Sequence, residues 1–599
     1  MTTSKIKRVV LIQPASAGGN FEYIAIPRQG MLFLSGALAQ WEGPHMYERE
    51  IWFEDRCGLM DPDKDLDGVD LLLVTALINE APRGYQLARQ AKEFHPNLIS
   101  IGGGPQMSPL QEEAIALGNF DVIVNREGED IIGQLCDVLV DYKDSPLLDS
   151  YLEKIPGISY IRDGHLVQTK RTGLVDPGFV ELPDFRSIKG LTPDHPMPGG
   201  VLETLRGCTE KCTYCQVIQQ FLGYRLIDRG IEIKRLQQLQ QLAEDGLIHT
   251  SRNGNFNVFI SDDLHPPPLR AVKFRNERLE RLKNWRGHTE NMYLICQARA
   301  EIGDDPELAQ AMFDVNIRML YLGIESNNAE SLKAVNKRQD PGQMERNLTT
   351  LNGMDFSVVA MTIIGLPYDT EETVMQMAEW ITQYSKYQTA NWLTPLPATS
   401  NWVDLQPLNE AGDLLQEGEM RPYHLYTGRQ LVHYDERWTM QESRDLFDRY
   451  SAKLTSIDKL YGRIFRMLRS YRLRVAATGK DLGDSVNARI GEASETLKSW
   501  SDSVSVAGKE IGENFSQQID ELAETLRSVS QPLANSRREF ADSINTRVNE
   551  LTESLRSLSD PLTTGKKDLA INVSKRISEL SEMLNKVAVE SRQPTPVQE

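Results

Sequence analysis

Six cysteines among 599 residues are too few for a scaffold built on disulfides, and no run of about twenty apolar residues occurs that could cross a bilayer. Positive charge is also short, since 66 Lys and Arg stand against 85 Asp and Glu for a net charge of −19. A nucleic-acid partner needs clustered basic residues on one face, so none is expected. The opening MTTSKIKRVVLIQP passes from basic residues directly into an apolar run of strand length, too short for the core of a secretory signal. The expected compartment is the cytoplasm, where thiols stay reduced and clustered cysteines serve metals or catalysis.

A chain of this length exceeds one hydrophobic core and divides into domains. Over residues 1–140, the apolar runs RVVLIQP, DLLLVTAL, LISIGGG and DVIVN alternate with helical patterns such as PRGYQLARQAKEFH. Continuous apolar strands separated by helices predict an α/β domain with a parallel sheet covered on both faces. Its ligand edge is the carboxyl end of the strands, at 13–14, 75–76, 102–105 and 126–129. Residues 141–195 read as a connector containing a DGHL hairpin turn. A second alternating series over 196–400 (VLETLRG, FNVFISDD, NMYLICQA, RMLYLGIES, VVAMTIIGLP, TANWLTPLP) predicts a partial or full (β/α) barrel with its chemistry at the strand carboxyl ends.

Beyond a helical extension over 401–478, residues 479–599 repeat. Ile519, Val548 and Ile577 open IDEL, VNEL and ISEL at a spacing of 29 residues, and Pro532 and Pro561 keep the same period. The apolar positions trace amphipathic helices, all-α, which are expected to self-associate as a coiled coil or to touch a membrane surface peripherally. Their mixed, slightly acidic polar face favours self-association over an anionic bilayer.

The densest chemical signal is RGCTEKCTYC, which puts Cys208, Cys212 and Cys215 within eight residues. A structural zinc site wants four ligands, and no second cysteine pair follows; His265 is the candidate for a fourth. The spacing alone leaves an iron–sulfur cluster, zinc and packing thiols open, in that order. Three thiolates on four irons would leave one iron free for catalysis.

The same stretch resembles the signature of the radical SAM superfamily, with Tyr214 as the aromatic residue before the last cysteine. FISDDL, GIES and IIGLPYDTEET are similar to later strand ends of that family. The resemblance implies a 4Fe–4S cluster on the three cysteines. It also implies an S-adenosylmethionine that chelates the open iron and is cleaved to methionine and a 5′-deoxyadenosyl radical. Asp262, Asp263 and Glu325 are then strand-tip carboxylates for the ammonium and ribose of a nucleoside, with helix capping as their plainer task. Gly365 would let backbone approach a ligand, or simply turn. Asp369 or Thr370 is expected to cap the following helix.

IGGGPQMSP and the downstream VNREGED resemble the flavodoxin-like (Rossmann-type) cobalamin-binding domain that precedes the barrel in one subfamily. By that resemblance Gly102, Gly103 and Gly104 would lie against the corrin tail, with Glu127 and Gly128 in the adjacent loop. No Asp-x-His-x-x-Gly occurs to supply a lower histidine to cobalt, and Gln106 stands where the family has histidine. The implied function is cobalamin-dependent methyl transfer to an unactivated carbon of a small molecule, hydrophobic ones included, with a flavodoxin or ferredoxin as electron donor. The alternatives are radical cyclisation or carbon–carbon coupling on a tetrapyrrole or lipid-like substrate. A non-enzymatic iron–sulfur scaffold organised by the tail is a third.

Overall fold

The computed structural model describes residues 6–16, 27–268, 270–385 and 387–454; the repeats of 479–599 and the end of the helical extension lie outside the described residues. Nearly all that is described belongs to one compact unit, Met1–Phe447.

The first sheet has seven strands: β1 Ile6–Gln13, β2 Met46–Phe53, β3 Leu71–Thr75, β4 Ile99–Gly103, β5 Val122–Val124, β6 Ile158–Arg162 and β7 His165–Gln168, in the order β2-β1-β3-β4-β5-β6-β7. The first five run parallel in flavodoxin order, and their carboxyl ends share one edge. Burial explains the apolar runs: the last five residues of β1 and the first four of β3 are buried. The segment read as a connector returns as the β6–β7 hairpin, antiparallel to β5. Its turn holds Asp163 and Gly164 at φ of 51° and 78°, the left-handed pair that a two-residue hairpin needs. Helices α1 Gln29–Ala39, α2 Ala81–Phe94 and the short α3 Gly104–Met107 connect and cover this sheet.

The second sheet is an open, partial barrel. β8 Gly200–Leu202, β11 Phe256–Ile260, β12 Met292–Ala298, β13 Ile317–Glu325, β14 Ser357–Ile364 and β15 Tyr387–Trp392 follow one another in space as in sequence, all parallel. Between β8 and β11 a small ribbon, β9 Leu205–Arg206 with β10 Arg225–Leu226, brackets the three cysteines and the short helix α4 Val217–Gln220. Val258, Ile260, Leu294, Leu320, Leu322 and Ala360 fill the core with no exposed surface.

Candidate active site

The cysteine loop leaves β9 under the control of both aspartates that follow β11. Asp262 accepts from the backbone N–H of Thr204 (2.6 Å) and Leu205 (3.0 Å), and Asp263 accepts from Gly207 N–H (2.8 Å). Gly207 turns with φ 87°, and a Cβ there would stand 1.8 Å from the Gly223 carbonyl, so only glycine fits. The far side of the loop is held by Thr213 N–H on Val335 O (3.2 Å) and by Asn336 Nδ2 on Lys211 O (2.7 Å).

Cys208, Cys212 and Cys215 are free thiols brought together on this loop. Burial pushes all three pKa values up, Cys215 to about 12, and each site is raised further by the charge of a neighbouring cysteine in the case of Cys208 and Cys215. Among the described residues no three His, Cys, Asp or Glu side chains close on one point as a lone zinc ion requires. Three thiols around one loop suit a polynuclear iron–sulfur group, which must displace their protons on binding. His265, the candidate for a fourth ligand, bonds Asp262 through Nδ1 at 2.8 Å and lies buried beside Trp285, with Nε2 lacking a hydrogen-bond partner.

The two aspartates take different roles. Asp262 has no exposed surface, and its oxygens are engaged by Thr204, Leu205 and His265, which departs from the expected nucleoside contact and makes it a positioning residue. Asp263 is partly exposed beside Cys208 and Cys215; burial raises its carboxyl to about 7.

Glu325 ends β13 with φ 61°, a conformation that an ordinary residue avoids, and its carboxylate pairs with the buried Lys337 at 2.7 Å. Gly323 makes the room, since a Cβ there would fall 2.7 Å from both charged atoms. Lys337 and Arg299 bring positive charge towards Cys212, and Tyr214 lies beside the Cys212 thiol while packing on Val335, Leu366 and Leu393. Gly365 is explained within the protein: φ is 84° and Trp392 occupies the space a side chain would need. Asp369 accepts from Gly365 and Leu366 N–H (3.0 and 2.9 Å), and Thr370 caps helix Glu371–Tyr384.

In the first domain the three glycines separate. A Cβ at Gly102 would press Ile123 (2.6 Å) and Met107 (2.9 Å), and one at Gly104, where φ is 84°, would meet Thr75 Oγ1 at 2.2 Å. Gly103 has neither constraint, its nearest neighbour being Val124 O at 3.4 Å. Gly103 thus presents open backbone at the carboxyl end of β4, where a flat group such as a corrin would fit. Gln106, where the family has histidine, is buried with both side-chain polar atoms lacking a hydrogen-bond partner.

Glu127 faces the barrel instead of a cofactor. Arg206, two residues before Cys208, pairs with Glu127 (2.9 Å), Glu129 (2.8 Å) and Glu203 (2.8 Å), while Arg225 takes the other oxygen of Glu127 (2.8 Å) and Arg235 reaches Glu203 (3.4 Å). Gly128 is a packing glycine, since a Cβ would stand 2.8 Å from Val124. The sequence reading missed Arg206 and Lys337 as charged partners. The signal was an acidic EGE and an arginine inside two motifs already singled out. Gln216, next after Cys215, adds a second tie by donating to Pro105 O (2.7 Å) and Pro397 O (2.9 Å).

Residues 202–381 match the radical SAM superfamily. An uncharacterized methyltransferase of Pyrococcus horikoshii is 24% identical over 417 residues, covering 66% of this chain and 83% of the relative. An anaerobic magnesium-protoporphyrin IX monomethyl ester cyclase of Cereibacter sphaeroides is 22% identical over 431 residues, 68% of this chain and 65% of its own length. The fold is similar to that of the cobalamin-dependent S-adenosylmethionine radical enzyme OxsB, with TM-score 0.55 and 14% identity over 97% of this chain and 84% of that one.

Proposed function

From the premise that this chain carries a radical SAM domain and is an enzyme of that kind, we propose that it transfers a methyl group to an unactivated carbon. It would use a 4Fe–4S cluster on Cys208, Cys212 and Cys215, S-adenosylmethionine, and a cobalamin at the edge marked by Gly103. When bound, these groups supply an electron, a hydrogen-abstracting radical and a methyl group. The observation that carries the reading is that three free thiols share one short loop pinned at one end by Asp262 and Asp263, with the first sheet's carboxyl edge tied to it through Gln216 and Pro105.

The chain's own residues have distinct tasks in this reading. The three cysteines would hold iron as thiolates, and Lys337 and Arg299 would offset the negative charge gathered near Cys212. Asp263 and Glu325 stand at strand ends, where a nucleoside's ammonium and hydroxyls would be received. Asp262 fixes the loop so that the thiols keep their spacing. The Arg206 carboxylate network holds the two sheets in one arrangement, as methyl carrier and radical source both have to reach one carbon.

Radical-initiated cyclisation or coupling shares the first steps, and the cyclase relative favours it as the second reading. An electron donor of the flavodoxin or ferredoxin kind and self-association through the tail belong to the same proposal. Turnover with S-adenosylmethionine carrying a deuterated methyl group separates the two readings: a product that has gained the labelled methyl is expected. A product that has lost hydrogen and gained no label would overturn methyl transfer in favour of cyclisation.

A further inference from the structure

Between the carboxyl edge of the first sheet and helix α4 lies a cavity of about 310 Å³. Its wall includes Arg126, Arg171, Gln219 and Gln220. Arg126 follows β5 with φ 67°, in the left-handed region a residue with a side chain avoids, and Ser108 Oγ accepts its backbone N–H at 3.0 Å. Its side chain is exposed, and no carboxylate pairs with it among the described residues. Arg171 gives Nη1 to Asp130 (2.9 Å), while its Nε and Nη2 are buried without a hydrogen-bond partner. Gly157, with φ 76°, admits that side chain, because a Cβ there would stand 2.7 Å from Arg171 Nε. Asn125 spends Nδ2 on Ser159 (2.9 Å) and leaves Oδ1 unpartnered.

Donors therefore dominate the unmatched groups: the Arg126 guanidinium and the Nε and Nη2 of Arg171, whose charge Asp130 balances, stand against the Asn125 carbonyl, while Gln219 and Gln220 bring one amide donor and one acceptor each. In a chain of net charge −19, a cavity whose surplus is positive and donating selects a ligand rich in anionic oxygen. We propose that this cavity binds a carboxylate or phosphate of the small-molecule substrate, anchoring it beside the cysteine loop. Assigning the anion to a substrate rests on the radical SAM reading; the anion site itself does not, because no cysteine lines it.

The test is thermal unfolding of the full chain with inorganic phosphate, pyrophosphate or succinate, against chloride at equal ionic strength. At least one of the three oxyanions is expected to raise the midpoint. Arg126→Gln and Arg171→Gln should each bind it about tenfold more weakly, the factor for one lost charge-assisted bond. Gly157→Ala should weaken it as well, by displacing Arg171. A variant with all three loop cysteines replaced by alanine should keep the shift, so failure of the cluster reading leaves this result readable. The same midpoint in chloride, or full binding in Arg126→Gln, overturns the proposal. Equal cobalamin and cobinamide affinity in wild type and Arg126→Gln is also expected. Selective loss of cobalamin in the variant would assign the anion to the cofactor's nucleotide loop and overturn the substrate assignment.

Discussion

Arg206 shows how charge distant in sequence is spent on the site. Three carboxylates, two of them from the first domain, meet one guanidinium that is 4% exposed, with Phe33 and Phe221 flanking it at 5.3 and 5.8 Å. Arg206→Met should cost about 3–5 kcal/mol in urea unfolding, since it leaves buried carboxylates without a counter-charge. Arg206→Lys should recover little of this, because an ammonium cannot serve three carboxylates in the fork geometry of arginine. The cysteines were legible in sequence because they lie on one short stretch. Arg206 was not, because its first-domain partners lie 77 to 79 residues earlier and only the fold brings them together. The glycines give a second residue-level contrast. Gly102→Ala should destabilise the protein by about 1–3 kcal/mol through crowding of Ile123 and Met107. Gly103→Ala should leave the unfolding midpoint in place and weaken cobalamin binding, measured by equilibrium dialysis.

Elements were legible where burial is continuous. The runs in β1, β3 and β4 stood out because parallel strands covered on both faces read as unbroken apolar stretches. MYEREIWF did not, because β2 is an edge strand whose first five residues, buried Tyr47 excepted, are exposed or half-exposed and include Glu48, Arg49 and Glu50. The segments flanking the barrel strands carry two buried histidines with a measurable consequence. Burial lowers His265, after β11, and His433, after β15, from 6.5 to about 4. Below pH 6.5 the unfolded chain then binds protons that the folded chain refuses, so stability falls as pH drops from 6.5 towards 4. Each histidine should remove about 2 kcal/mol between pH 7 and pH 5 in urea titrations. His433→Gln should flatten its share of that slope.

At the scale of the molecule, the parallel strands of two sheets turn their carboxyl ends to a common region joined by ion pairs and by Gln216. The alternation of apolar strands and helices announced both sheets in the sequence, whereas their mutual docking depends on side chains with no pattern of their own. The central claim is that the loop of Cys208, Cys212 and Cys215 carries a catalytic cluster. Its most direct test is 5′-deoxyadenosine formation by the anaerobically reconstituted full chain, given S-adenosylmethionine, a strong reductant and candidate substrates. The expected result is brown cluster absorbance and 5′-deoxyadenosine in wild type, both lost when the three cysteines become alanine. A wild-type chain that binds iron yet forms no 5′-deoxyadenosine, or a cysteine-free variant that still forms it, would contradict the claim.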